Sequence, residues 1–127
     1  GHFDIRRNME MTAAIDVFGA LAQATRLEAF RLIVRHGPAG IAAGDVARHL
    51  GVPQNTMSTH LAVLSRAGLG SSERRSRSMI FRADIDRVRD LTSYLVADCC
   101  GGRPELCEPL VAEFTLGSIP REKNCAC

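Results

Sequence analysis

Between Asp45 and Leu69 the chain reads DVARHLGVPQNTMSTHLAVLSRAGL, two amphipathic helical stretches joined through Gly51-Val52-Pro53. Val46, Ala47 and Leu50 lie on one face of the first stretch, and Gly51 permits a tight turn. Met57, Leu61 and Leu64 then recur at helical spacing along the second. On the opposite side of that second helix Asn55, Ser58, Thr59 and Ala62 follow at i, i+3, i+4 and i+7. These groups are small or hydrogen-bonding, of a size that enters a major groove and reaches base edges. The pattern predicts a helix-turn-helix whose second helix reads DNA.

The flanking sequence supplies the rest of an all-helical scaffold with one small β element. From Thr12 to Gln23 the residues Ile15, Phe18, Leu21 and Ala22 repeat at the spacing of an amphipathic helix. Thr25-Arg26-Leu27-Glu28 reads as a capping box that opens a second helix, which runs to His36 and is stopped by Gly37-Pro38-Ala39-Gly40. After Leu69 the polar, basic run from Ser71 to Ser78 leads into strand-like Met79-Ile80-Phe81-Arg82, predicting a two-stranded hairpin with a basic tip. Asp84 is placed to cap a last helix with an apolar face of Ile85, Val88, Leu91 (or Thr92) and Leu95, ending at Cys99-Cys100-Gly101-Gly102. An apolar stripe on so long a helix has a natural use in pairing with a second subunit. Beyond Arg103, four punctuating residues, Pro104, Pro109, Gly117 and Pro120, predict loops with a short helical turn around residues 110–114.

The fold class expected is therefore mostly α with a small β-hairpin (α+β). The 127 residues divide into an N-terminal extension (1–11, with Gly1-His2 set aside as a cloning remnant), a DNA-binding and dimerisation domain (12–100), and a C-terminal loop and tail (101–127). The formal net charge is only +2, so phosphate affinity has to be local. Arg74, Arg75 and Arg77 provide that concentration at the hairpin tip. The expected DNA-contacting set is Gln54, Asn55, Thr56, Ser58, Thr59 and His60 on the helix, with Arg74, Arg75 and Arg77 on the hairpin. His60 is balanced between a DNA contact and a structural side chain. No run of about 18 apolar residues and no signal-like opening is present, which points to a cytoplasmic protein with no membrane partner. Catalysis is not expected. The chain lacks a glycine-rich phosphate loop in a strand-to-helix setting, paired carboxylates with an evident pocket, and a Cys-x-x-Cys at a helix start.

The order of these elements, together with Ala24-Thr25-Arg26-Leu27, Ser58-Thr59-His60-Leu61-Ala62-Val63-Leu64 and Ala67-Gly68-Leu69, resembles the ArsR/SmtB family of winged helix-turn-helix metalloregulators over residues 13–100. The resemblance implies a homodimeric repressor that sits on operator DNA and leaves when each subunit binds a metal or metalloid. It implies a recognition helix over 54–67 and a wing over 71–81. It also implies dimer contacts through the first and last helices, here Ile15, Phe18, Ile85, Val88, Leu91 and Leu95. Two departures stand out. Pro53 and Asn55 replace residues the family often carries as serine and proline, so the recognition helix starts differently. The family's familiar ligand positions are also missing: residues 45–50 contain no cysteine, and the last helix has Asp84 and Asp86 but no histidine.

Five cysteines remain: Cys99, Cys100 and Cys107, with Cys125 and Cys127 on the tail. Neighbouring residues on a helix point about 100° apart, so Cys99 and Cys100 need a break in the helix to share one ion. Gly101-Gly102 supplies that break, and Pro104 turns the chain so that Cys107 approaches. Three converging thiolates suit a soft centre, and trivalent arsenic bonds three sulfurs in a pyramid. A vicinal pair with a nearby third cysteine also resembles one of the family's arsenite-sensing arrangements. The expected inducer is As(III), with Sb(III) an equivalent and no organic cofactor. Open alternatives are zinc, cadmium or lead with Cys125 or Cys127 added, a methylated arsenic species held by Cys99 and Cys100 alone, a thiol redox switch, and thiols with no such role.

Overall fold

The sequence periodicities become five α-helices and three strands in a computed structural model that describes residues 9–97. Their order is α1 (Met11–Leu21), α2 (Ala24–Arg35), β1 (Ile41–Ala42), α3 (Ala43–Leu50), α4 (Gln54–Arg66), β2 (Gly70–Arg75), β3 (Ser78–Ala83) and α5 (Ile85–Ala97). The strands form one antiparallel sheet in the order β1-β3-β2.

Residues 10–88 pack as one unit. The first four helices each contribute to its core: Ala14, Val17 and Ala20 from α1, Phe30, Leu32 and Ile33 from α2, Val46 and Ala47 from α3, and Met57, Leu61 and Leu64 from α4. Phe81 closes the sheet side. Val17, Ile33, Val46, Met57, Leu64 and Leu69 are fully buried, and among the described residues no polar or charged side chain is. Burying each large apolar side chain contributes about 1.5–3 kcal/mol, so the α3–α4 corner is held by its own hydrophobic faces.

The corner itself is made by a Schellman motif. Gly51 takes φ +66°, its N–H bonds to Arg48 O at 3.2 Å, and the Val52 N–H reaches Ala47 O at 3.0 Å. Only glycine adopts that left-handed backbone without strain from a Cβ. The same pair of bonds ends α4, from Gly68 to Ser65 O and from Leu69 to Leu64 O, and delivers buried Leu69 to the start of the hairpin.

Three local expectations change. Thr25 and Glu28 do not form a capping box, because α2 already starts at Ala24 and its N-cap is Gln23, whose side chain accepts from Arg26 N at 2.8 Å. Ala22 caps the end of α1, so only two residues separate the helices and the chain re-enters helix at once. The hairpin is also not alone: Ile41 and Ala42 pair with Phe81 and Ile80 of β3 and make a third strand. Asp84 does cap α5, accepting from Asp86 N at 3.1 Å. The 13 described residues of α5 span about 20 Å. The expected continuation to Cys100, and everything after it, lies outside the described residues.

Candidate nucleic-acid interface

Because Met57, Leu61 and Leu64 anchor one side of α4, its other side faces outward. Gln54, Asn55, Thr56, Ser58, Thr59 and Ala62 are all exposed there. The Thr59 hydroxyl donates to Asn55 O at 3.3 Å. Gln54 lies over α3, its amide nitrogen 3.2 Å from where a Cβ on Gly44 would stand. The helix begins on Pro53, which offers no side-chain acceptor, so no side chain caps the first-turn amides. Those amides and the helix dipole leave partial positive charge at that end. His60 differs from its neighbours. It is half-buried, and its Nδ1 sits 3.4 Å from Arg26 Nη1 on α2.

The hairpin register divides the basic cluster between two faces. Ser71 opposes Arg82, Glu73 opposes Ile80 and Arg75 opposes Ser78 on one side. Ser72 opposes Phe81 and Arg74 opposes Met79 on the other, the side that turns toward α4. On the first face, Glu73 accepts from Arg82 Nη1 at 2.6 Å and lies 3.6 Å from Arg75 Nε, while Arg82 Nε also donates to Pro38 O at 2.9 Å. Arg82, and then Arg75, hold the Glu73 carboxyl below its ordinary range. Arg75 is thus already paired with a carboxylate. Arg74 and Arg77 are exposed and make no ion pair among the described residues. Ser76 and Arg77 form the two-residue tip, with Ser76 at φ +58°.

Between the outward side of α4 and the hairpin runs a small groove of about 220 Å³, floored by Leu61 and Phe81 and edged by Ser58, Ala62, Ser72 and Met79. Ser58, Ser65 and Ser72 thus line the groove, the uncapped start of α4 lies on the same helix, and the hairpin carries two unpaired arginines. That is the chemistry of a duplex-binding face: donors and acceptors for base edges flanked by cations for phosphates.

Comparison with known proteins fits this geometry. A helix-turn-helix domain family model matches residues 21–69. An ArsR-like transcriptional regulator from Rhodococcus sp. RHA1 superposes with a TM-score of 0.61 at 23% identity, over 81% of this chain and 92% of that one. A possible ArsR-family regulator of Mycobacterium bovis, solved as a homodimeric winged helix-turn-helix DNA-binding domain, gives 0.57 at 24% identity, over 77% and 85%. The fold is a winged helix-turn-helix, similar to that of these two regulators. A possible transcriptional regulator for arsenical resistance superposes at 0.56 with 24% identity, over 65% of this chain and 82% of that one. No curated protein matches the sequence. No described helix is long and apolar enough to cross a membrane.

In this winged helix α4 occupies the recognition position and β2–β3 the wing. The residues expected to pair two subunits fall into two groups. Ile15 and Phe18 on α1, and Ile85 and Leu95 on α5, are 45–58% exposed, while Val88 is half-buried and Leu91 is buried at 8%. Cys99, Cys100, Cys107, Cys125 and Cys127 lie outside the described residues, and among the described residues no group of three metal-ligating side chains occurs. Sequence reading missed Glu73 as the partner of Arg75 and Arg82. An acid two places before Arg75 in a strand shares its face, and that alternation was the available signal. Nothing in the sequence signals the contact between Arg26 and His60, which are 34 positions apart.

Proposed function

We propose that this chain is a homodimeric, DNA-binding transcriptional repressor that is released from its operator by arsenite. The observation that carries the DNA reading is the juxtaposition of the outward polar side of α4 with a wing whose Arg74 and Arg77 are unpaired. Gln54, Asn55, Ser58, Thr59 and His60 read base edges, Thr56 and the uncapped amides of α4 take a phosphate, and the wing arginines hold flanking backbone. Two copies place two such helices in successive major grooves about 34 Å apart. Dimerisation has its own support. On α1 the small residues Ala14, Val17 and Ala20 face inward, whereas Met11, Ile15 and Phe18 stand exposed along i, i+4, i+7. The homodimeric Mycobacterium bovis domain has the same fold.

The inducer reading rests on the donor set in the sequence. Cys99, Cys100 and Cys107 supply three soft sulfurs with no fourth cysteine or histidine close by in the chain, which suits As(III) and, equivalently, Sb(III). A closed zinc site needs a fourth donor, which Cys125 or Cys127 offers, and makes zinc, cadmium or lead the second reading. Switching a promoter from nearly closed to nearly open takes about 5.5 kcal/mol of differential affinity, shared between two sites per dimer. Native mass spectrometry of the reduced protein with arsenite, and in parallel with zinc, tests this without an operator. The expected species is a dimer carrying one arsenic per subunit with three protons lost at each. Zinc uptake with no arsenic adduct, or no uptake of either, overturns the arsenite reading.

A further inference from the structure

Arg26 is tied to three elements at once. From the first turn of α2 its Nε donates to Ala20 O at 2.6 Å and its Nη2 to Gly19 O at 3.3 Å, both on the last turn of α1, and its Nη1 lies 3.4 Å from His60 Nδ1 on α4. A guanidinium has five N–H donors and no acceptor, so the imidazole must accept through Nδ1. The neutral ring then carries its proton on Nε2. The anchorage is favourable in its own right, because a cation beside the last carbonyls of a helix meets the negative end of its dipole. A planar fork held at two carbonyls is already ordered before it meets the histidine. His60 itself sits one helical turn along α4 from Thr56, on the edge of the exposed polar side.

We propose that Arg26 is a positioning residue for DNA recognition: it fixes the His60 ring on the recognition helix as the Nε2–H tautomer, with that N–H as its one donor for DNA. The inference rests on the DNA-binding reading above. It also makes the end of α1, which carries the exposed Ile15 and Phe18 side, mechanically continuous with a residue of the reading helix.

The test has two arms on the full-length reduced protein, with Arg26→Gln and Arg26→Met compared so that at least one folded variant is available by thermal unfolding. In DNA-free protein, ring nitrogen NMR at a pH where His60 is neutral should show one tautomer in the parent, protonated at Nε2, and a mixture in the variants. A mixture in the parent, or an unchanged pattern in a folded variant, overturns the proposal. The second arm uses a duplex enriched from a random-sequence pool by the parent protein. Arg26→Gln should weaken binding to it about tenfold, and by less than about twofold when His60→Ala is already present, the non-additivity expected of coupled residues. Equal losses in both backgrounds make Arg26 merely structural and overturn the proposal alone. Failure of the parent to retain any duplex overturns the DNA reading and this proposal together, while the ring spectra still report whether the Arg26–His60 bond exists.

Discussion

At the scale of single residues, charge matters by what it is already paired with. Arg74 and Arg75 are adjacent in sequence, yet strand alternation puts Arg75 beside Glu73 and leaves Arg74 on the side of Met79 and α4. Arg74→Ala is therefore expected to lower duplex affinity and reduce the slope of log affinity against log salt by about 1, with a smaller change for Arg75→Ala. Fluorescence anisotropy at several salt concentrations measures both. Glu73→Gln should act in the opposite direction, tightening low-salt binding by about fivefold as a negative charge leaves the wing and Arg75 is freed. The same carboxylate sets a pH dependence. Its folded pKa is depressed by Arg82 and Arg75, so its ion pairs favour the folded state above the unfolded glutamate value. That contribution is lost as pH falls through the folded value. The stability difference between parent and Glu73→Gln should accordingly be present at neutral pH and vanish in strongly acidic solution, as thermal melts at the two extremes would show. The carboxylate lies at the surface in contact with solvent, so the difference is small.

At the scale of elements, the wing depends on close backbone approach. A Cβ on Gly70 would stand 2.4 Å from Phe81 Cε1 and 2.6 Å from Arg82 O, and the carbonyl cannot move without opening the β2–β3 ladder. Gly70→Ala should cost about 1–3 kcal/mol, seen as a lower melting temperature together with faster amide exchange across β2 and β3. α4 was legible in the sequence because its buried face repeats at 3–4 residues over two turns or more, as Met57, Leu61 and Leu64 do, whereas α1 was read from Ile15 and Phe18, which stand exposed while Ala14, Val17 and Ala20 are buried. α4 and the hairpin fall where the resemblance put the second helix and the wing, but Arg74 and Arg75, expected at the hairpin tip, lie in strand β2, and only Ser76 and Arg77 form the tip. β1 was not legible, since two residues are too few to show an alternation and Ile41-Ala42 becomes a strand only by pairing with β3. The cap of α2 was misplaced for a related reason. Thr25-x-x-Glu28 has the right residues for a capping box, but the two-residue link from α1 decides where the helix starts. Within the candidate site, the exposed ridge of α4 followed from its period. The pairing of Arg75 with Glu73 and the bond from Arg26 to His60 arise from strand register and helix packing, which a one-dimensional pattern does not encode.

At the scale of the whole molecule, one helix-turn-helix offers a short reading head, and useful operator affinity requires two at fixed spacing. The exposed side of α1 is where that requirement meets the chain: Phe18 is 45% exposed and Ile15 58%, although both are large and apolar. Phe18→Asp should weaken self-association by about a hundredfold and yield a folded monomer by light scattering, with duplex binding reduced to its non-specific level. A Phe18→Asp dimer of unchanged stability would move the subunit interface elsewhere. The proposed inducer belongs to the same scale, because the first cysteine comes two residues after Ala97, the described end of α5, and any response would have to be transmitted to α4. The most direct measurement is the anisotropy of a selected duplex, bound by reduced protein at fixed salt, as arsenite is added. The expected result is a fall to the free-duplex value, complete near one arsenite per subunit and absent in Cys107→Ser. A complex that keeps its anisotropy at saturating arsenite, or a Cys107→Ser protein that releases DNA as the parent does, would contradict an arsenite-released repressor acting through Cys99, Cys100 and Cys107.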